Sequence, residues 1–189
     1  MKLIPRIIFL LTSVFLLIYI SFLTPAFPIP PSDSVQSTEP GDSEAVSVRR
    51  AYFTNFTRSE VLEYYENQLR KVSLFGINIP LPTYRLNYPP EDAQTLIRDQ
   101  TRSTFLEEIV HPLRESFFVN GFEPKVAKDD IWYKGVHYRQ KITVKYNRSN
   151  LPVRLVAGGL TILAAWLVIK GWQNTCRDIR RLTKGGKNG

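Results

Sequence analysis

Two long apolar stretches constrain this chain more than any other feature. The first runs from Ile7 to Leu23 as IIFLLTSVFLLIYISFL, with Lys2 and Arg6 ahead of it. Counted from Ile4, it reaches the roughly 20 residues that a helix needs to cross a bilayer's hydrocarbon core. The competing reading is a cleaved signal peptide, whose apolar region is usually only about 7–15 residues long and ends in small residues. Thr24 and Ala26 make a poor match to such an end, so an uncleaved anchor is expected. The second stretch runs from Leu151 to Trp172. Its uncharged centre, Leu155 to Ile169, is short for a full span. Arg154 and Lys170 extend it by snorkelling, and Trp166 and Trp172 suit an interface. A buried core helix is the alternative, and the basic segment that follows favours the span.

Charge sets the expected topology. The formal net charge is +8. Nine cations (Lys2, Arg6, Arg154, Lys170, Arg177, Arg180, Arg181, Lys184 and Lys187) and one acid, Asp178, surround the two stretches and account for all of it. Between residues 24 and 153, sixteen cations meet sixteen acids. A basic chain would ordinarily suggest nucleic acid, but the part able to fold in water is neutral, so no nucleic-acid partner is expected. Lys2, Arg6, Arg177, Arg180, Arg181, Lys184 and Lys187 place both termini in the cytoplasm by the positive-inside rule. The expected layout is a cytoplasmic start at 1–6, a first span at 7–23, a disordered Pro/Ser-rich linker at 24–48, an extracytoplasmic domain at 49–150, a second span at 151–172 and a basic tail at 173–189.

The one cysteine, Cys176, falls in that tail. The domain therefore has no disulfide and depends on its apolar core. A juxtamembrane thiol can be palmitoylated, although an unmodified thiol is the plainer reading. Asn55 and Asn147 head N-x-[ST] sequons that a eukaryotic secretory route could glycosylate.

Within the domain, Val48 to Phe56 reads as a strand. Thr57 and Glu60 form a capping box, followed by Val61, Leu62, Tyr65, Leu69 and Val72 at helical spacing. Ile77 to Tyr88 reads as an irregular lead into a strand. Pro89 and Pro90 then open a second, long helix with Leu106, Ile109, Val110, Leu113 and Phe117 on its apolar side and Gly121 as its stop. Two strands follow. In the last, Tyr138, Ile142, Val144 and Tyr146 alternate with Arg139, Lys141, Thr143 and Lys145. The expected fold class is α+β: a mostly antiparallel sheet in the order β-α-β-α-β-β with two helices on one face.

Glu107, His111 and Glu115 recur at one-turn spacing on the expected second helix. A Glu–His group can bind a metal or exchange protons. The two-histidine zinc-protease pattern is missing, the only other histidine is His137, and Pro112 interrupts the helix. A solvated helix face is the plainer reading, and an envelope hydrolase or metal enzyme using His111 with Glu107 or Glu115 is kept as the alternative function. No nucleophile elbow or phosphate loop is present, and no cofactor is implied. In the second span, Ala157, Gly158, Thr161 and Ala165 make a small-residue surface suited to close helix packing. The expected partners are therefore the lipid bilayer and another membrane protein or a second copy. Arg139, Lys141, Lys145 and Arg148 precede this span and would suit an anionic membrane surface. The leading function is a two-span membrane protein presenting a non-catalytic domain that binds a protein, an envelope polymer or a lipid surface.

Overall fold

The computed structural model describes residues 3–23, 26–42, 48–74, 77–89, 105–124 and 127–185. The chain forms two units, Thr24–Ser149 and the pair Met1–Leu23 with Asn150–Gly189. Three α-helices lie among the described residues: α1 (Leu3–Ser21), α2 (Arg58–Leu69) and α3 (Leu151–Gly185).

In the helical unit, α1 and α3 contain apolar spans at Ile4–Ser21 and Leu151–Ile179, with 18-residue windows of mean hydropathy 2.1 and 1.9. By length and composition both could cross a membrane. Ile20 and Gly158 mark their contact. A Cβ on Gly158 would stand 2.2 Å from Ile20 Cδ1, so the missing side chain lets the two helices approach. Most other apolar residues point outward, including Leu10, Phe15, Leu160 and Val168. The helix expected at 151–172 continues through Gly185; Gln173 to Arg181 holds neither proline nor glycine to stop it.

The other unit is built on a six-stranded antiparallel sheet. Its strands are β1 (Val35–Gln36), β2 (Arg49–Thr54), β5 (Tyr84–Tyr88), β6 (Phe105–Val110), β7 (Ser116–Phe122) and β10 (Gln140–Asn147), in the spatial order β1-β2-β10-β7-β6-β5. Two hairpins stand apart: β3 (Lys71–Leu74) with β4 (Ile77–Pro80), and β8 (Ile131–Tyr133) with β9 (Val136–Tyr138). The α+β class with an antiparallel sheet is as the sequence implies; the element order is not.

The main core lies between α2 and one sheet face. Val61, Leu62, Tyr65 and Leu69 of α2 meet Tyr52, Phe105, Ile109, Phe117, Val119, Ile142, Val144 and Tyr146. The helix starts where the sequence says: Glu60 N–H donates to Thr57 Oγ1, and Thr57 N–H donates to Glu60 Oε2 at 2.7 Å. That hydrogen bond, followed by the Thr57 hydroxyl, holds the Glu60 carboxyl below its ordinary pKa. Val72, counted with this helix by spacing, sits instead on β3, because α2 ends at Leu69. On the opposite sheet face the β8–β9 hairpin brings Ile131, Tyr133 and Tyr138 onto Phe53, whose ring stacks on Tyr133 at 4.3 Å.

The long second helix is overturned where it can be seen. Residues 90–104 lie outside the described part, but 105–122 is the β6–β7 hairpin, paired from Phe105↔Gly121 to Val110↔Ser116. On β6 and β7 the residues facing α2 are buried and most on the other face are half-buried, with apolar side chains on both, and these matched helical spacing by coincidence. Ile109, Val110, Val119 and the four phenylalanines favour the pleated surface, and Pro112 sits in the turn, where no ladder hydrogen bond is lost.

Residues 26–42, within the segment expected to be a disordered linker, are ordered. Phe27 packs edge-on against Phe117 and Tyr146, with centroids 6.1 and 6.0 Å away. Ile29 exchanges both backbone hydrogen bonds with the Gln68 amide, and Tyr64 donates its hydroxyl to Pro30 O. Asp33 accepts from Thr54 Oγ1 and Asn55 N–H, each at 2.6 Å. β1 then pairs with β2 at the sheet edge, and Thr38 reaches Tyr133 on the far face. Residues 26–42 are thus a strap that wraps one edge of the sheet. Proline stiffens such a chain, so less entropy is lost on ordering it than composition suggests.

Candidate functional site

The acid–histidine cluster forms by a different route from the one its spacing implied. His111, Pro112, Leu113, Arg114 and Glu115 make the β6–β7 turn. Arg114 N–H donates to His111 O at 3.0 Å, and His111 N–H donates to Glu115 O at 2.9 Å. Pro112 supplies its fixed φ, and Leu113 takes φ 61°, a combination typical of type II turns, which favour glycine at that place. Leu113 is exposed at the turn's tip and does not face the sheet.

The turn folds three polar side chains inward. His111 Nδ1 lies 2.9 Å from Glu115 Oε1, and an Arg114 guanidinium nitrogen lies 3.0 Å from the same oxygen. Since a carboxylate only accepts, Nδ1 carries the hydrogen and donates. The side chains are at most 2% exposed. His111 Nε2 is buried and has no hydrogen-bond partner among the described residues. The Glu115 carboxylate is thus held by a guanidinium and a ring nitrogen in a cluster shielded from solvent, and these contacts tie the turn together.

Glu107 is elsewhere. It lies on β6 with its side chain on the α2 face, and Arg58 Nε donates to its Oε1 at 2.8 Å. Arg85 stands 3.4 Å from Oε2, and Asn87 accepts a further hydrogen bond from Arg58. The Arg58 guanidinium also covers the Phe105 ring at 4.9 Å. His137 is on the β8–β9 hairpin, half exposed beside Trp132. That hairpin packs near Phe122, while His111 precedes Ser116, so the two histidines sit at opposite ends of β7, about 20 Å apart at a strand's rise per residue. Among the described residues no three His, Cys, Asp or Glu side chains are grouped as metal ligands.

The four strand cations have different neighbours. Arg139 pairs with Glu123 at 2.7 Å. Lys141 reaches both Glu39 and Asp42 of the strap at 2.8 Å. Burial would lower the Lys141 pKa, but the hydrogen bonds to Asp42 and Glu39 outweigh it and raise the value. Lys145 lies four residues along the same strand, and Arg148 stacks over Tyr146 at 5.3 Å. Tyr138 does not share a face with Ile142: the strand expected to run through residue 139 breaks there, where Asn55 accepts from Arg139 N–H, and Tyr138 turns to the Phe53 side. Of the small residues in α3, Gly158 alone is buried; Ala157, Thr161 and Ala165 are exposed. Arg6 and Arg177 lie on α1 and α3. Lys2 and Lys187 lie outside the described residues, as do the side chains of Arg180, Arg181 and Lys184.

Asn120 is a residue that sequence reading missed. It is fully buried in β7 opposite Thr143 and Leu106, and neither side-chain amide atom has a hydrogen-bond partner among the described residues. By sequence it falls at the end of the expected second helix, with nothing to mark it as buried.

By fold the chain is an α+β protein in which two apolar helices flank an antiparallel-sheet domain. Comparison with known protein families, with characterised proteins and with solved structures finds no match.

Proposed function

We propose that this chain is a two-span membrane protein whose 24–149 domain lies outside the cytoplasm and acts as a non-catalytic binding module for a protein, an envelope polymer or a lipid surface. The carrying observation is the pairing of two long apolar helices, whose side chains mostly face outward, with a charge excess confined to their flanks. Exposed residues such as Phe15 and Val168 suit lipid and not water. The contact of Ile20 with Gly158 favours a retained anchor over a cleaved signal, since α1 then has a structural partner. The non-catalytic reading rests on the closed state of the His111–Glu115 cluster and on the ion pairs that occupy Glu107.

The lone thiol offers a direct test of topology. In sealed right-side-out vesicles, a membrane-impermeant maleimide is expected to leave Cys176 unlabelled until detergent is added. The same reagent is expected to label a Glu63→Cys, Cys176→Ser variant at once, since Glu63 is exposed on α2. Labelling of both sites in intact vesicles would remove the spanning reading, and the opposite pattern would invert the topology. For the binding role, mild-detergent purification is expected to yield a specific partner or a defined oligomer; a solitary monomer counts against it.

A further inference from the structure

A cleft of about 660 Å³ opens between α1 and α3, within the usual roughly 300–1,000 Å³ of ligand pockets. Its lining is sorted along its length. At one end stand Arg6, Lys170 and Arg177 with Gln173, and no carboxylate lines the cleft. Lys170 Nζ lies 4.4 Å above the Trp166 ring, and Arg177 donates to Asn174 Oδ1 at 2.6 Å, so both cations are oriented. The rest is apolar: Phe9, Val14 and Leu17 from α1, and Ile162 and Trp166 from α3. The helices are antiparallel neighbours that meet at Ile20 and Gly158. Fourteen residues back from Ile20 is Arg6, and fourteen on from Gly158 is Trp172, so Arg6 stands level with Trp172, within the two turns that carry Lys170 and Arg177.

Length identifies the occupant. From Arg6 to Leu17 a helix rises about 16 Å, half of a hydrocarbon core roughly 30 Å thick. A cavity one leaflet long, cationic at one end and greasy along the remainder, matches a phospholipid with an anionic headgroup. Basic pockets between spanning helices on the cytoplasmic side are suited to such headgroups. We infer that this cleft binds one anionic phospholipid of the cytoplasmic leaflet, its phosphate held by Arg6, Lys170 and Arg177 and an acyl chain lying along Phe9, Leu17 and Trp166. The inference rests on the two helices spanning the membrane.

Trp166 provides the readout. The full chain carrying Trp132→Phe and Trp172→Phe keeps Trp166 as its one indole. In nanodiscs of phosphatidylcholine, brominated phosphatidylglycerol added at a few mole per cent is expected to quench Trp166 at about a tenfold lower mole fraction than brominated phosphatidylcholine. Arg6→Gln, Lys170→Gln and Arg177→Gln together are expected to abolish that preference while quenching by both lipids persists. Equal quenching by the two lipids, or a preference untouched by the triple change, overturns the site. Loss of the preference in millimolar inorganic phosphate overturns it too, by showing a soluble-anion site. Carbonate extraction of the same samples separates the two readings: protein that stays in the membrane without lipid preference refutes the cleft alone, whereas protein released into solution refutes the spans as well.

Discussion

Replacing Glu115 by Ala is expected to lower the stability of the sheet domain by about 3–5 kcal/mol, the usual cost of stranding one member of a buried charge pair. The arithmetic follows from burial. Arg114 and His111 both face Glu115 Oε1, at 3.0 and 2.9 Å, with side chains shielded from water. Without the carboxylate, the buried guanidinium loses the counter-charge 3.0 Å away. Glu115→Gln keeps an acceptor and is expected to cost less. A joint Arg114→Met, Glu115→Leu change removes both charges and is expected to recover most of the loss, since apolar replacements of buried pairs are often neutral. Thermal unfolding of the full-length protein in detergent, followed by near-ultraviolet circular dichroism, reads these differences. A Glu115→Ala protein within about 1 kcal/mol of the parent would show that the cluster does not hold the turn.

The second large effect is expected at Gly121. Its cross-strand neighbour is Phe105, and a Cβ there would stand 2.1 and 2.2 Å from Phe105 Cε1 and Cζ. The ring lies over the bare backbone, with the Arg58 guanidinium above it. Gly121→Val must displace the ring, and with it the arginine that holds Glu107, so the cost should reach the upper part of the roughly 1–3 kcal/mol typical of overpacking. Phe105→Ala alone opens a cavity and is expected to cost about 3–5 kcal/mol. Because the valine fills part of that cavity, the double variant should lose clearly less than the two single losses combined. Strict additivity in urea or thermal unfolding would show that the two residues do not share the space.

These two sites also show where the sequence was legible. Signals confined to a few neighbouring residues were read correctly: the Thr57–Glu60 capping box, the apolar face of α2, and the alternation of Ile142, Val144 and Tyr146. The two apolar helices needed only length and absence of charge. The β6–β7 hairpin was misread because apolar residues stand on both its faces and the adjacent Glu107 and Glu108 break the alternation, so Leu106, Ile109 and Val110 coincide with a helical stripe. Pro112 was noticed as a helix interruption, but its role as the second residue of a turn depends on Leu113 adopting a positive φ, which leucine does not advertise. The strap was hidden for another reason. Its order comes from contacts with residues far along the chain, Thr38 with Tyr133 and Glu39 with Lys141, and local composition carries no trace of such partners. Of the acidic residues that made it look solvated, Glu39 and Asp42 reach Lys141 and Asp33 reaches Thr54. Glu107, His111 and Glu115 were singled out as one group; only His111 and Glu115 meet, across a turn of the chain and not along a helix.

The order of strands has a consequence for how the chain is made. β10 lies between β2 and β7, in the middle of the sheet, yet it is the last strand in the sequence. Until it emerges from the ribosome, β1–β2 and β5–β6–β7 are two fragments with their inner edges open, a state prone to mispairing. At roughly 5–20 residues per second, Gln140 to Asn147 arrives only moments before α3 begins at Leu151. Closure of the sheet and delivery of the second apolar helix therefore fall in the same few seconds of synthesis.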